Sequence, residues 1–298
     1  MRQRMVTARA ATGRRRWRRV AWGPLCLMFT LACATSQVSS LPPVTQEPTQ
    51  LVLPGKFVWA DLVTDHVADA KSFYGALFGW TFEDHDENVV MVLRNGAPIA
   101  SIVRIERPPD RLRDSAWVAN LSVADVDRAA ALVRERGGDV ERGPKVVPDR
   151  GRLALVSDPG GAVLLLIRAS GGDPPDEEPP VGDWLWTELW THDVAAAVGF
   201  YSELAGYESE MVDLDGQPYH VLKRGDVPRA GVMEAPEEVH SLWLPYVRVE
   251  DAAATVARAE TLGARVVLQD DDTVILVDPT GAAIGVHVPS GRRAEETR

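Results

Sequence analysis

Cysteine is scarce in this 298-residue chain: there are two, Cys26 and Cys33. Both lie near the amino terminus, so the body of the protein can form no internal disulfide and offers no cysteine-histidine zinc spacing. Basic residues are scarce too once the first 33 positions are set aside. All eight basic groups before Cys33 are arginines, with no acid among them, and the remainder of the chain carries 24 basic against 43 acidic groups, net −19, where the whole chain is −11. An acidic body repels nucleic acid and anionic lipid, so neither is expected as a partner of the folded part. Long hydrophobic runs are also missing. The longest near the start, Val20 to Ala32, would span roughly 20 Å as a helix, short of the roughly 30 Å hydrocarbon core, so it is not read as a membrane span. No nucleophile elbow, phosphate-cradling glycine loop or dinucleotide fingerprint occurs, and Gly137-Gly138 reads as a helix stop.

What is present begins with an export signal. Arginines packed between Arg2 and Arg19, the apolar run, and a polar turn after it form a signal peptide over residues 1–33. Phe29-Thr30-Leu31-Ala32-Cys33 resembles a bacterial lipobox, which makes Cys33 the expected acylation site and the protein lipid-anchored in the cell envelope, with the membrane as a partner through that anchor. Ala34 lacks the retention aspartate of some Gram-negative lipoproteins, which favours the outer membrane. The alternative is ordinary cleavage near Ala32 or Ala34, giving a secreted or periplasmic protein. Residues 34–55, rich in Ser, Thr, Gln and Pro, read as a flexible tether, and 291–298 as a disordered tail.

The body is an internal repeat. Trp59-Ala-Asp61-Leu-Val-Thr64 with Phe73-Tyr74 and Leu77-Phe-Gly79-Trp80 returns as Trp186-Thr-Glu188-Leu-Trp-Thr191 with Phe200-Tyr201 and Leu204-Ala-Gly206-Tyr207. Asp158-Pro-Gly-Gly161 returns as Asp278-Pro-Thr-Gly281. The proline-rich stretch between the copies reads as a linker at 170–182, separating domains at 56–169 and 183–290. Each domain divides again into a strand, a helix with one Ala and aromatic face, and short strands punctuated by Gly and Pro. Helices are expected at 67–78 and 126–136, strands at 57–63, 80–84, 88–94 and 97–105, and a second unit from Trp117.

This order of motifs, occurring twice, resembles the glyoxalase, bleomycin-resistance and extradiol-dioxygenase superfamily, the vicinal oxygen chelate fold, in its tandem bacterial form. The resemblance implies an α+β architecture, each domain being a pair of βαβββ modules that curl a mixed sheet around a cavity. It also implies metal ligands on the first and last strands, and the matching positions hold Trp59, Val118, Trp186, Leu244, Leu165 and Gly285, none of which ligates a metal. No metal or other cofactor is therefore expected. Alternation along the strands puts Trp59, Asp61 and Asn120 on the first concave face and Trp186, Glu188, Trp190, Tyr246 and His287 on the second. Aromatic walls with a few polar groups suit a small aromatic or apolar molecule, and these eight are the candidate ligand-binding residues. Glu188 and His287 are the catalytic candidates, an acid and base that could meet across the cavity. His66, His192, His220 and His240 fall near turns and are expected at the surface. The expected function is non-catalytic binding of a small molecule, with a lyase, isomerase or dioxygenase of the same fold as the alternative.

Overall fold

The computed structural model describes residues 16–17, 41–106, 115–214 and 216–289. The expected export signal, Cys33, positions 34–40 of the expected tether and the tail at 291–298 thus lie outside the described residues, apart from a two-residue strand, β1 (Arg16–Trp17).

The first domain opens with β2 (Phe57–Thr64), whose apolar residues face both sides because the strand is covered on both. Helix α1 (Val67–Phe78) ends where Gly79 takes φ +72°, a left-handed turn that a residue without Cβ enters at no cost. Strands β3 (Thr81–Asp84), β4 (Val89–Arg94) and β5 (Ala97–Arg104) complete the module. The second module runs β6 (Ala116–Ser122), α2 (Val126–Glu135), β7 (Asp139–Val147), β8 (Gly151–Ser157) and β9 (Val163–Ala169). Asp125 caps α2 by accepting from the amides of Asp127 and Arg128. The second domain repeats both: β10 (Trp184–Thr191), α3 (Val194–Ala205), β11 (Glu208–Leu214), β12 (Gln217–Arg224) and β13 (Val227–Glu234), then β14 (Leu242–Arg248), α4 (Ala252–Thr261), β15 (Arg265–Gln269), β16 (Thr273–Val277) and β17 (Ala283–His287).

In each module the fourth strand returns beside the first and parallel to it, as in β2 with β5 and β10 with β13. Modules join through their first strands, antiparallel, β2 with β6 and β10 with β14. The result is one sheet ordered β3-β4-β5-β2-β6-β9-β8-β7 and another ordered β15-β16-β17-β14-β10-β13-β12-β11, with β1 added beside β15. The chain is therefore two tandem domains of paired βαβββ modules, the architecture the repeat implied.

The sheets stand back to back with the helices between them. One core joins Ala70, Phe73 and Tyr74 of α1 to Val256 and Ala259 of α4; another joins Ala130 and Val133 of α2 to Phe200 and Tyr201 of α3. Crossed hydrogen bonds lock this seam. Trp243 Nε1 donates to the Tyr201 hydroxyl oxygen at 2.8 Å, and that hydroxyl donates to Asp158 Oδ2, in the other domain, at 2.8 Å. In the mirror arrangement Trp117 Nε1 donates to the Tyr74 hydroxyl at 2.8 Å, beside Asp278 of the second domain. The Phe-Tyr and Asp-Pro-x-Gly motifs of the repeat are thus partners across the two domains.

The tether expectation needs correction over residues 41–55. The amides of Thr49 and Gln50 donate to the Gly171 carbonyl at 2.9 and 3.1 Å, and the Leu53 amide donates to Asp173 Oδ2 at 2.6 Å. Asp173, in the linker, is fully buried and also takes the Ser122 hydroxyl at 2.6 Å. A buried carboxylate requires such donors, and supplying them holds the segment down. Polar composition suggested mobility, yet the polar groups serve as ties.

Candidate ligand sites on the two concave faces

The concave side of the first sheet, away from the helices, carries the residues that alternation placed there. Trp59 lies opposite Asn120, Asp61 opposite Val118 and Ser101, and Asn120 opposite Leu165, so all share one face. Asp61 sits at their centre, 7% exposed. Its Oδ1 accepts from the Ser101 hydroxyl at 2.5 Å and from Trp59 Nε1 at 3.2 Å, and its Oδ2 accepts from Asn120 Nδ2 at 2.9 Å. Trp59 Nε1 also donates to Ser101 Oγ at 3.0 Å. The sequence thus identified three of the four members of this cluster. Ser101 gave no signal, because a single serine in an apolar strand looks like any tolerated polar residue.

Around the cluster lies an apolar wall of Val58, Met91, Leu93, Val147, Leu153 and Ile167. Residues of the expected tether complete it: Val44 is buried among these side chains and Leu41 packs against them. One further residue enters this face that the sequence did not single out. Arg150, in the turn between β7 and β8, is 1% exposed, with its guanidinium carbon 4.3 Å from the centre of the Trp59 ring.

The second concave face is built differently. Glu188 Oε2 accepts from Trp190 Nε1 at 2.6 Å and from the Tyr246 hydroxyl at 2.7 Å, and Trp186 Nε1 donates to the Tyr219 hydroxyl at 2.9 Å. Glycines admit these rings: a Cβ on Gly285 would stand 2.3 Å from the Tyr246 ring, and one on Gly231 would overlap the Tyr219 hydroxyl. Aromatic side chains thereby occupy much of the second concavity. His287 is half-buried, its Nδ1 2.7 Å from Thr273 Oγ1. Burial pushes its pKa below the ordinary value, opposed by the charges of Asp272, Glu188 and Asp270. Glu188 and His287 therefore sense each other electrostatically, but no hydrogen bond joins them. Of the histidines expected near turns, His66 stands at the start of α1, 3.5 Å from Asp69, whereas His220 lies within β12, half-buried, with its Nδ1 2.9 Å from the Ser209 hydroxyl.

The fold and the paired concave faces define a protein of the glyoxalase-like class. The family described as the glyoxalase/bleomycin resistance protein/dioxygenase superfamily matches residues 56–166, and the glyoxalase-like domain family matches 186–287; the chain belongs to this superfamily. Among its relatives is CFP32 of Mycobacterium bovis, which carries a provisional glyoxylase name and is 32% identical over 245 residues, 78% of this chain and 94% of that protein. The anthracycline biosynthesis protein DnrV of Streptomyces peucetius is 30% identical over 255 residues, 78% of this chain and 93% of its own. In fold, the chain is similar to the Mn(II)-bound glyoxalase of Novosphingobium aromaticivorans, with TM-score 0.56 and 15% identity over 81% of this chain and 84% of that one. It is likewise similar to homoprotocatechuate 2,3-dioxygenase of Arthrobacter globiformis, with TM-score 0.54 and 14% identity over 83% and 82% of the two chains.

The donor set does not fit a divalent metal such as the Mn(II) of the Novosphingobium glyoxalase. The positions at which the resemblance implies ligands carry Trp59, Val118 and Leu165 on one face and Trp186, Leu244 and Gly285 on the other. A divalent metal needs three or more N, O or S ligands converging at about 2.0 to 2.3 Å. Among the described residues no group of three or more His, Cys, Asp or Glu is placed to supply them.

Proposed function

We propose that this glyoxalase-like protein binds a small aromatic or apolar molecule on its first concave face, without a metal and without transforming it. The observation that carries this reading is the closed cluster of Trp59, Asp61, Ser101 and Asn120. It is a buried polar centre beside a tryptophan face and an apolar wall. Both Asp61 oxygens are engaged by donors, which suits fixing a ligand's orientation better than abstracting its proton. The body would be carried in the cell envelope on a lipid at Cys33. The test is elemental analysis of the full-length chain after expression with Fe, Zn, Ni and Mn supplied, followed by a thermal-shift screen of small aromatics. Absence of bound metal together with a stabilising ligand supports the reading; near-stoichiometric metal or turnover of a bound compound overturns it. Labelling with an acyl-chain analogue, compared between the natural chain and Cys33→Ser, tests the anchor.

A second reading has its own support. His287, held toward its neutral form by burial and under the charge of Glu188, has the character of a base in a metal-free lyase or isomerase. Glu188→Gln leaving both turnover and ligand affinity unchanged would remove it.

A further inference from the structure

Arg150 lies beneath a roof that leaves its donors without partners among the described residues. Its backbone is pinned on both sides: its amide donates to the Pro148 carbonyl at 2.8 Å and its carbonyl accepts from the Ser170 amide at 3.1 Å. Asp149 before it and Gly151 after it both have positive φ, +64° and +127°. This tight turn drives the side chain inward over Trp59. None of Nε, Nη1 or Nη2 has a hydrogen-bond partner among the described residues, though a guanidinium carries five N–H donors in a planar fork. Among the described residues Asp61 is the charge that acts on it, and Asp61 is already held by Trp59, Ser101 and Asn120. The carboxylate therefore offsets the charge of the guanidinium without satisfying its donors.

The roof is the segment from Leu41 to Pro48. Leu41 donates from its amide to the Pro148 carbonyl at 3.3 Å, two residues before Arg150, and Val44 closes the apolar wall. The fit is incomplete, since Thr45 Oγ1 is also buried without a partner among the described residues. At the edge of the roof a depression of about 230 Å³ runs between Pro42, Pro43 and Gln46 and the strand residues Met91, Leu93 and Pro98. The second domain has no counterpart to Arg150: the turn between β15 and β16 carries Asp270, Asp271 and Asp272.

We propose that Arg150 makes the first concave face a site for a planar aromatic carboxylate. The carboxylate takes the open edge of the guanidinium, the ring lies between Trp59 and the wall of Met91, Leu93 and Leu153, and the roof segment lifts to admit it. A fork of parallel N–H groups matches the two oxygens of a carboxylate. This rests on the reading of that face as a ligand site, and it adds the chemistry of the ligand.

The test is titration calorimetry of the full-length protein with benzoate and with its neutral counterpart benzamide. Benzoate is expected to bind at least about tenfold more tightly. Arg150→Met should erase that difference by weakening benzoate far more than benzamide. The ligand-free melting temperature should not fall, because replacing a buried, unsatisfied charge by an apolar side chain is neutral or stabilising. Equal binding of the two probes, an unaltered benzoate affinity in Arg150→Met, or a fall of several degrees in its melting temperature overturns the proposal; the last would make Arg150 a structural partner of Trp59. Should Arg150→Met fail to fold, Arg150→Lys decides. It keeps the charge but not the fork and should weaken benzoate about tenfold, so unchanged affinity overturns the proposal. Binding of neutral aromatics alone refutes the carboxylate and leaves the ligand site standing. If no aromatic binds, charged or neutral, both fall.

Discussion

Tyr201→Phe tests whether the two domains are joined by specific polar links or only by apolar contact. The hydroxyl is fully buried and serves twice, accepting from Trp243 Nε1 and donating to Asp158 Oδ2, both at 2.8 Å. Its removal strands the indole N–H and takes the hydroxyl donor from that carboxylate oxygen; Oδ1 keeps the Ala162 amide at 2.8 Å. Each orphaned buried group costs about 1–3 kcal/mol, so the variant, with two, should lose about 2–6 kcal/mol. With a urea slope of about 3 kcal/mol/M, at the upper end for small domains, the midpoint should fall by about 1 M. Urea titration followed by tryptophan fluorescence reads this directly. Because the bond spans the domains, a double-mutant cycle of Tyr201→Phe with Asp158→Asn should show coupling above about 0.5 kcal/mol, the range for contacting residues. A midpoint shift under about 0.2 M, or no coupling, would refute the claim that these motifs hold the domains together.

Three other outcomes can be read from the geometry. Gly285→Ala puts a Cβ 2.3 Å from the Tyr246 ring, so it should destabilise the second domain by about 1–3 kcal/mol, measured by thermal melting. Asp61→Asn exchanges an acceptor-only group, which receives Ser101, Trp59 and Asn120, for one that must also donate. It should cost about 2 kcal/mol or more and quench or shift Trp59 emission. Burial holds the His287 pKa below its ordinary 6.5, so between that value and its folded pKa the unfolded chain takes up a proton the folded chain refuses. Stability should therefore decline as pH falls below about 6.5 and level off under the folded pKa, and His287→Gln should lack that part of the decline in melts run from pH 7.5 to 5.

The repeat, the helix stops and the strand faces were legible because each is set by local chemistry. Gly79 ends α1 with positive φ, and period-two alternation brought Trp59, Asp61 and Asn120 together. Reciprocity between domains was not legible. Tyr201 and Asp158 belong to motifs that occur in both copies, and a repeated motif does not say whether its partner lies in its own copy or in the other. Alternation likewise put Glu188 and His287 on one face but carries no distance across it, and Glu188 instead engages Trp190 and Tyr246. Arg150 was invisible because Asp149-Arg150-Gly151 has the composition of any exposed turn; only the backbone on either side turns the arginine inward.

The two copies keep one scaffold and diverge at the points where a ligand would touch it. Ser101 stands beside Asp61 in the first, and the position paired with Glu188 in the second is Gly231. Losing that side chain opens the space that the Tyr219 hydroxyl fills. Asn120, opposite Trp59, corresponds to Tyr246, opposite Trp186, whose ring covers Gly285. Each change in the second copy exchanges a small polar group for an aromatic ring that satisfies itself on Glu188 or Trp186. The first copy retains small polar groups and adds a buried cation whose donors have no partner among the described residues. Aromatic filling stabilises a concavity by closing it, whereas unspent donors cost stability that only a bound acceptor returns. On the function proposed here, ligand recognition would belong to the first face, with the second stiffening the pair of sheets behind it.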